Sequence, residues 1–252
     1  MQMQDNYGDR DSMSSTWIGD VTVESILRQS FNQFDEEFSK LFETQPYTQE
    51  ERLTGFFVEK LCQHGKMAQN SIMKVTMPLK LPWYFSIHYK DMTRTEKKYG
   101  ADMAFVLNTN MQGKMKRRKV ILVQCKKMNT RAYPSPNLVF VNSWPIDFDQ
   151  AKDLCRTTPF GFHFLYKSYS SAVCTRVAPS ASVIGLMRAT GRRGTIPLYQ
   201  GLLISKAFAD FFLYDFIGCW VGDERDIAFK IIEGDLPEVS VRYIVYIDIS
   251  RG

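Results

Sequence analysis

The chain has few of the residues from which zinc sites, thiol redox centres and imidazole catalysis are built. Its three histidines (His64, His88, His163) and five cysteines (Cys62, Cys125, Cys155, Cys174, Cys219) include no C-x-x-C pair, and no histidine stands at zinc-ligand spacing from a cysteine. That excludes the common zinc modules and the thioredoxin type of redox motif. An odd cysteine count without a signal peptide points to a reducing cytoplasm, not to a secreted disulfide scaffold. There is no internal repeat and no low-complexity tract. There is also no run apolar enough for a membrane span. The most apolar stretch, 198–221, carries Lys206, Asp210 and Asp215 and reads as a buried helix.

Aromatic residues are abundant. The 252 residues include 18 Phe and 12 Tyr, which is ample for a large core in one domain. Residues 1–16 are polar and read as a loose tail, leaving 17–252 as a single domain. A net charge of +5 permits a polyanionic partner without requiring one. Positive charge is concentrated in two places. One holds Lys114, Lys116, Arg117, Arg118, Lys119, Lys126, Lys127 and Arg131, and the other holds Arg188, Arg192 and Arg193. Lys127, Arg117, Arg118, Arg192 and Arg193 are the candidate nucleic-acid contacts, although solvated turns would account for either group equally well.

Apolar spacing of three and four predicts a helix over 21–42. A second helix begins near Thr48, where Thr48 and Glu51 form a capping box and Gly65 is the expected stop. Residues 71–87 read as extended, broken by Pro78 and Pro82, and 91–98 as a polar loop. Two apolar runs, 101–107 and 119–125, read as a hairpin joined by a turn over 108–118. A short helix over 149–156, strands over 161–166 and 172–177, a strong helix over 200–217 and an alternating strand over 239–249 complete the chain. This order predicts an α/β fold in which a mixed central sheet is flanked by helices, with an extra helix and strand at the C-terminal end.

The informative segment is Gly100-Ala101-Asp102, followed after the turn by Gln124-Cys125-Lys126. If the two strands pair, the start of the first lies beside the end of the second, and Asp102 approaches Gln124 and Lys126. Residues two apart on a strand share a face, so Gln124 and Lys126 point one way and Cys125 the other. Polar groups at the end of so apolar a strand are costly unless something uses them. Phosphodiester hydrolysis would use them. A carboxylate binds Mg²⁺ (or Mn²⁺), the Cys125 backbone carbonyl adds an oxygen, and a lysine orients the attacking water. Glu50 and Glu51 on the second helix offer a further carboxylate. Glu50 shares a face with Leu53, Thr54 and Phe57 and is favoured, while Glu51 remains the alternative.

These elements resemble the PD-(D/E)xK restriction-endonuclease-like superfamily: a helix-borne Glu, Gly-Ala-Asp before a strand, and Gln-x-Lys ending the next. More narrowly they resemble its Gln-x-Lys branch, which includes Mrr-type methylation-dependent enzymes. The resemblance covers about residues 48–166, the nuclease-like core, and leaves 167–252 as a C-terminal extension. It implies that Asp102 and Glu50 (or Glu51) bind metal and that Lys126 serves the water. Gln124 stands in the second-motif position, and Gln150 near the site. It also implies a Mg²⁺-dependent endonuclease acting on double-stranded DNA in a host-defence or restriction role, as a homodimer or with partner proteins of a defence system. Gln124 replaces the usual acidic residue, which favours an alternative: a non-catalytic nucleic-acid- or protein-binding module of the same fold. A third reading, a structural or assembly protein, expects Asp102 far from Lys126. Each residue also has an ordinary explanation. Asp102 can cap a turn, Lys126 can reach solvent, Gln124 can be an edge polar group, and Glu50 and Glu51 can compensate the helix dipole.

Overall fold

The computed structural model describes residues 16–44, 48–80, 82–92, 101–111, 115–133, 139–167, 175–218, 220–235 and 240–252. The tail expected over 1–16 falls outside these residues except for Thr16. So do Gly100, Lys114, Cys174, Cys219 and most of the polar loop read over 91–98.

Two long helices come first. In α1 (Val21–Thr44), Val23, Leu27, Phe31, Phe34 and Phe38 are buried along one stripe. In α2 (Glu50–Thr76) the buried stripe runs from Leu53 through Phe57 and Leu61 to Ala68 and Ile72. Helix α2 passes straight through the expected stop at Gly65, and 71–76 is helical where extended chain was expected. Tertiary packing decides this. At Gly65 a Cβ would lie 2.9 Å from Ile87 Cβ, so the missing side chain lets α2 lie against the first strand. Helix propensity yields to that close approach. After a short 3-10 turn (Met77–Leu79), the chain reverses at Lys80 (φ 55°) and enters β1 (Trp83–Asp91).

The expected hairpin forms as β2 (Ala101–Met111) and β3 (Met115–Lys127), antiparallel, with Met103 opposite Val123 and Met111 opposite Met115. The strands run further than their apolar segments, because a backbone ladder continues under polar side chains as readily as under apolar ones. What was read as a turn over 108–118 is therefore mostly strand. Then follow β4 (Asn129–Tyr133), β5 (Val139–Pro145), α3 (Phe148–Thr157), β6 (Gly161–Tyr166), β7 (Thr175–Pro179), α4 (Ser180–Thr190) and β8 (Thr195–Pro197). The helix expected over 200–217 is broken. It appears as α5 (Leu198–Leu203), a two-residue strand β9 (Lys206–Ala207), and α6 (Phe208–Asp210) running on into a π-helical turn (Phe211–Ile217). The break falls where Arg176 hydrogen bonds to the Ser205 backbone carbonyl and hydroxyl and where the segment pairs with the edge of β7. Finally come α7 (Asp226–Glu233) and β10 (Val241–Arg251).

Among the described residues, seven strands form one mixed sheet in the order β1-β10-β2-β3-β6-β7-β9, and β4, β5 and β8 form a second, smaller one. The last strand does not append itself to an edge. It wedges between β1 and β2, antiparallel to the first and parallel to the second. Residues 167–252, read as an extension, thus supply β7, β9 and β10 to the same sheet as β2 and β3. One face carries α1, α2 and the α6 region over a phenylalanine-rich core in which Phe57 meets Phe34, Phe38, Phe164 and Phe208 edge-on. The other face is covered by α7 over β10, β2 and β3, and by α3 and α4 over β6 and β7. The molecule is therefore a mixed α/β protein with a central sheet flanked by helices, as the order of elements predicts.

Replacing Gly65 by Ala is expected to destabilise the fold by roughly 1–3 kcal/mol, because backbone and a branched side chain must move apart. Ile87→Ala keeps the Cβ but removes Cγ1 and Cδ1, and in a double-mutant cycle the loss in the double variant should be less than the sum of the two single losses, as read by urea denaturation.

Candidate active site

The site lies where four elements meet at one end of the sheet: the start of β2, the end of β3, the start of β10 and the first turn of α2. The hairpin register places it. One step beyond the Met103–Val123 pair, Asp102 comes abreast of Gln124. Gln124 Nε2 donates to Asp102 Oδ2 at 3.2 Å, and the Cys125 backbone amide donates to the same oxygen. Both residues are nearly buried, Asp102 at 7% and Gln124 at 3% exposure. A carboxylate so placed needs donors, and an amide pair supplies them. Cys125 turns the other way, into the aromatic core, as alternation requires. Within a strand a residue's amide and carbonyl point to the same edge. The Cys125 carbonyl therefore points to the same side as the amide that reaches Asp102.

Helix α2 brings the second carboxylate. Glu50 Oε2 accepts the backbone amide of Lys127 at 2.7 Å, and its Oε1 lies 3.5 Å from Lys126 Nζ. Its side chain is about one-third exposed and that of Lys126 only 13%. Leu53, Thr54 and Phe57, on the same helix face, are buried, so the expected inward orientation of Glu50 is what α2 adopts. Glu50 and Asp102 line one cleft of about 380 Å³, together with Gln49, Glu51, Thr54, Arg242 and Tyr243. Gln124 and Lys126 are not in its wall. They touch it through the two carboxylates.

The other expected residues separate from this centre. Glu51 makes no capping box, since Gln49 occupies the cap position without a side-chain bond. Glu51 reaches across instead to Arg242 Nη1 at 3.0 Å. Lys127, expected to contact nucleic acid, donates to the Thr48 carbonyl at 2.9 Å, and partial burial lowers its pKa while the Glu50 charge pulls it back up. Arg117 and Arg118 start β3, eight or nine residues before Lys126, so they stand roughly 26–30 Å away along the strand. There they pair with Glu224 and Glu233. The basic cluster read from the sequence is thus split between opposite ends of the sheet. Gln150 sits in the first turn of α3 and does not line the cleft. Arg193 folds over the Phe148 ring and pairs with Asp149 at 3.4 Å, while Arg192 is exposed on the turn after α4.

No local pattern pointed to Arg242 and Tyr243, which enter because β10 inserts beside β2 and puts Arg242 level with Asp102. A strand's pairing partner is not written in its own alternation. Nor did the sequence mark His163, which β6 places opposite Gln124. His163 Nδ1 lies 3.0 Å from Ser180 Oγ, and burial, with the Lys126 charge adding to it, drives its pKa down from 6.5 to about 3. Beneath the site, the Tyr166 hydroxyl donates to Cys125 Sγ at 3.0 Å. Burial raises both pKa values well above their ordinary ranges, so both groups stay neutral.

Whether the donors suit a divalent cation follows from their chemistry. Two carboxylates and a backbone carbonyl, completed by water and a phosphate oxygen, are what Mg²⁺ ordinarily accepts. Around the cleft, Glu50, Glu51 and Asp102 face Arg242, an excess of negative charge that a dication would offset. Among the described residues no group of three or more His, Cys, Asp and Glu could by itself hold a metal. Any ion held here would rest on two carboxylates and a backbone carbonyl, with water filling its remaining positions. Compared with known proteins, the chain matches no family model, no curated protein and no solved structure. Among the described residues no helix is long and apolar enough to cross a membrane.

Because folded His163 stays neutral while the unfolded chain takes up its proton below about 6.5, stability is full above that pH and falls towards pH 3. Lowering the pH from about 7.5 to about 5 is expected to cost roughly 2 kcal/mol through this residue. Urea titrations at the two pH values should show the loss, and a folded His163→Gln variant should lack that component.

Proposed function

We propose that the chain is a metal-dependent nuclease of the PD-(D/E)xK restriction-endonuclease-like type, hydrolysing phosphodiester bonds in DNA, with Asp102, Gln124, Lys126 and Glu50 as its working set. The observation that carries this reading is the meeting of two separate pairs at one cleft. Asp102 is held by Gln124 and the Cys125 amide, and Glu50 is held by the Lys127 amide beside Lys126.

Asp102, Glu50 and the Cys125 carbonyl would hold Mg²⁺ or Mn²⁺. Such an ion, when bound, neutralises phosphate charge and lowers the pKa of a water bound to it. The chain's own groups do the rest. Gln124 and the Cys125 amide fix the rotamer of Asp102, and the Lys127 amide fixes Glu50, so neither carboxylate has to reorganise during the reaction. Lys126 keeps its ammonium beside Glu50, where it can hold a water by hydrogen bonding and offset negative charge building on a phosphate. Gln124 differs from the usual acidic residue in being neutral, and here it serves as a donor to Asp102 and not as a ligand. His163, neutral next to Gln124, supports the strand end without adding charge.

A specific observation favours a second reading. With Glu51 committed to Arg242 and Gln124 to Asp102, only two carboxylates remain for a metal. A non-catalytic module that binds nucleic acid or protein through this cleft would have the same geometry. The nuclease reading expects nicking of supercoiled plasmid in Mg²⁺ or Mn²⁺. It also expects Asp102→Asn and Lys126→Met to lower the rate by on the order of 10²–10³ with unchanged thermal melting. Absence of cleavage by the natural protein on duplex DNA, single-stranded DNA and RNA, in either metal, would transfer the assignment to the binding module.

A further inference from the structure

We infer that Arg242 is the phosphate clamp of this cleft and that Glu51 is the residue that positions it. This deepens the nuclease reading and rests on it. Of the cations gathered at this end of the sheet, Lys126 and Lys127 are turned to Glu50 and to the Thr48 carbonyl, and neither lines the cleft. Arg242 does line it. It lies on β10 between Val241 and Tyr243, which pair with Ala101 and Met103, so it stands level with Asp102 one strand away.

Its placement is built. Gly55 on α2 faces the Tyr243 hydroxyl, where a Cβ would lie 3.1 Å away, so the glycine gives the tip of that ring room between the helix and the start of β10. The approach puts Glu51, on the first turn of α2, within 3.0 Å of Arg242 Nη1. The pair is partly exposed, 32% for the Arg side chain and 64% for the Glu, and such pairs contribute little to stability. Orientation is the more telling consequence. A guanidinium has five N–H donors in a fixed plane, and one carboxylate oxygen engages only part of that array. Tyr243 also neighbours the guanidinium, its ring centroid 5.3 Å from Cζ. The donors turned from Glu51 and Tyr243 suit two non-bridging phosphate oxygens, the bidentate geometry that arginine recognises and lysine does not. A second cleft, of about 450 Å³, shares Gln49, Glu51, Arg242 and Tyr243 with the first. Arg242 therefore stands on the wall that the two clefts share, open to a phosphate in either.

The test uses the full chain and a fluorescein-labelled DNA duplex, with Arg242→Gln, Arg242→Lys and Glu51→Gln compared for cleavage kinetics and for binding across a salt series. A clamp that meets substrate before and during reaction predicts that Arg242→Gln raises KM about tenfold or more while kcat changes less. It also predicts that the slope of log K against log salt falls by about one unit for Arg242→Gln and stays near its natural value for Arg242→Lys, which keeps the charge but loses the two-point contact and so raises KM. Glu51→Gln should raise KM without altering the salt slope, since the guanidinium remains present but less fixed. A purely structural Arg242 would instead shift thermal melting and leave the slope untouched. If the natural protein cleaves and Arg242→Gln keeps its KM and slope, the clamp is overturned and the nuclease reading stands. If the natural protein neither binds nor cleaves, both fall together.

Discussion

Glu50 fastens the first turn of α2 to the last residue of β3, accepting the Lys127 amide at 2.7 Å while Lys126 approaches its other oxygen. That one carboxylate joins the helical layer to the end of the sheet, and the geometry of the cleft follows from it. It sets how far α2 overhangs β2 and so where Glu51 and Thr54 stand. A negative charge at a helix N-terminus is also favoured by the helix dipole, so the anchor and the helix reinforce each other. Asp102 is held in the same way on the neighbouring strand, by an amide and a carboxamide. Two carboxylates, each restrained by backbone N–H groups of one short segment, 125–127, are brought into one wall.

The charge distribution around that wall has a consistent logic. Acidic groups face inward over the cleft, with Arg242 the cation among them, while Arg117, Arg118 and Arg193 are neutralised elsewhere by Glu224, Glu233 and Asp149. Among the described residues, positive charge is therefore not focused at the site. Local chemistry, more than a broad electrostatic field, would have to bring a polyanion there.

Much of this was legible in the residues. The apolar runs of β2 and β3 announced a hairpin, alternation put Gln124 and Lys126 on one face and Cys125 on the other, and the stripe Leu53-Thr54-Phe57 selected Glu50 over Glu51. What could not be read was set by contacts distant in sequence. Gly65 looked like a helix stop because its service to Ile87 is visible only once β1 lies against α2. The capping box at Thr48 and Glu51 was locally reasonable, but Arg242, 191 residues later, captured the glutamate. The basic residues from 114 to 131 looked like one patch because sequence proximity was mistaken for spatial proximity along an extended strand. The helix read over 200–217 is interrupted at the point where Arg176, on β7, reaches the Ser205 carbonyl.

The central position of β10 has a consequence for biosynthesis. In chain order it follows every other strand, yet it fills the gap between β1 and β2, both of which precede it by well over a hundred residues. While the ribosome is still making the preceding segments, β1 and β2 each present an open backbone edge and β2 an uncovered apolar flank. Such surfaces recruit other chains as readily as their own missing strand. The nascent protein therefore cannot complete its cleft, or acquire Arg242, until residues 241–251 are free to pair with both β1 and β2. Any catalytic capacity the cleft possesses would wait on that docking.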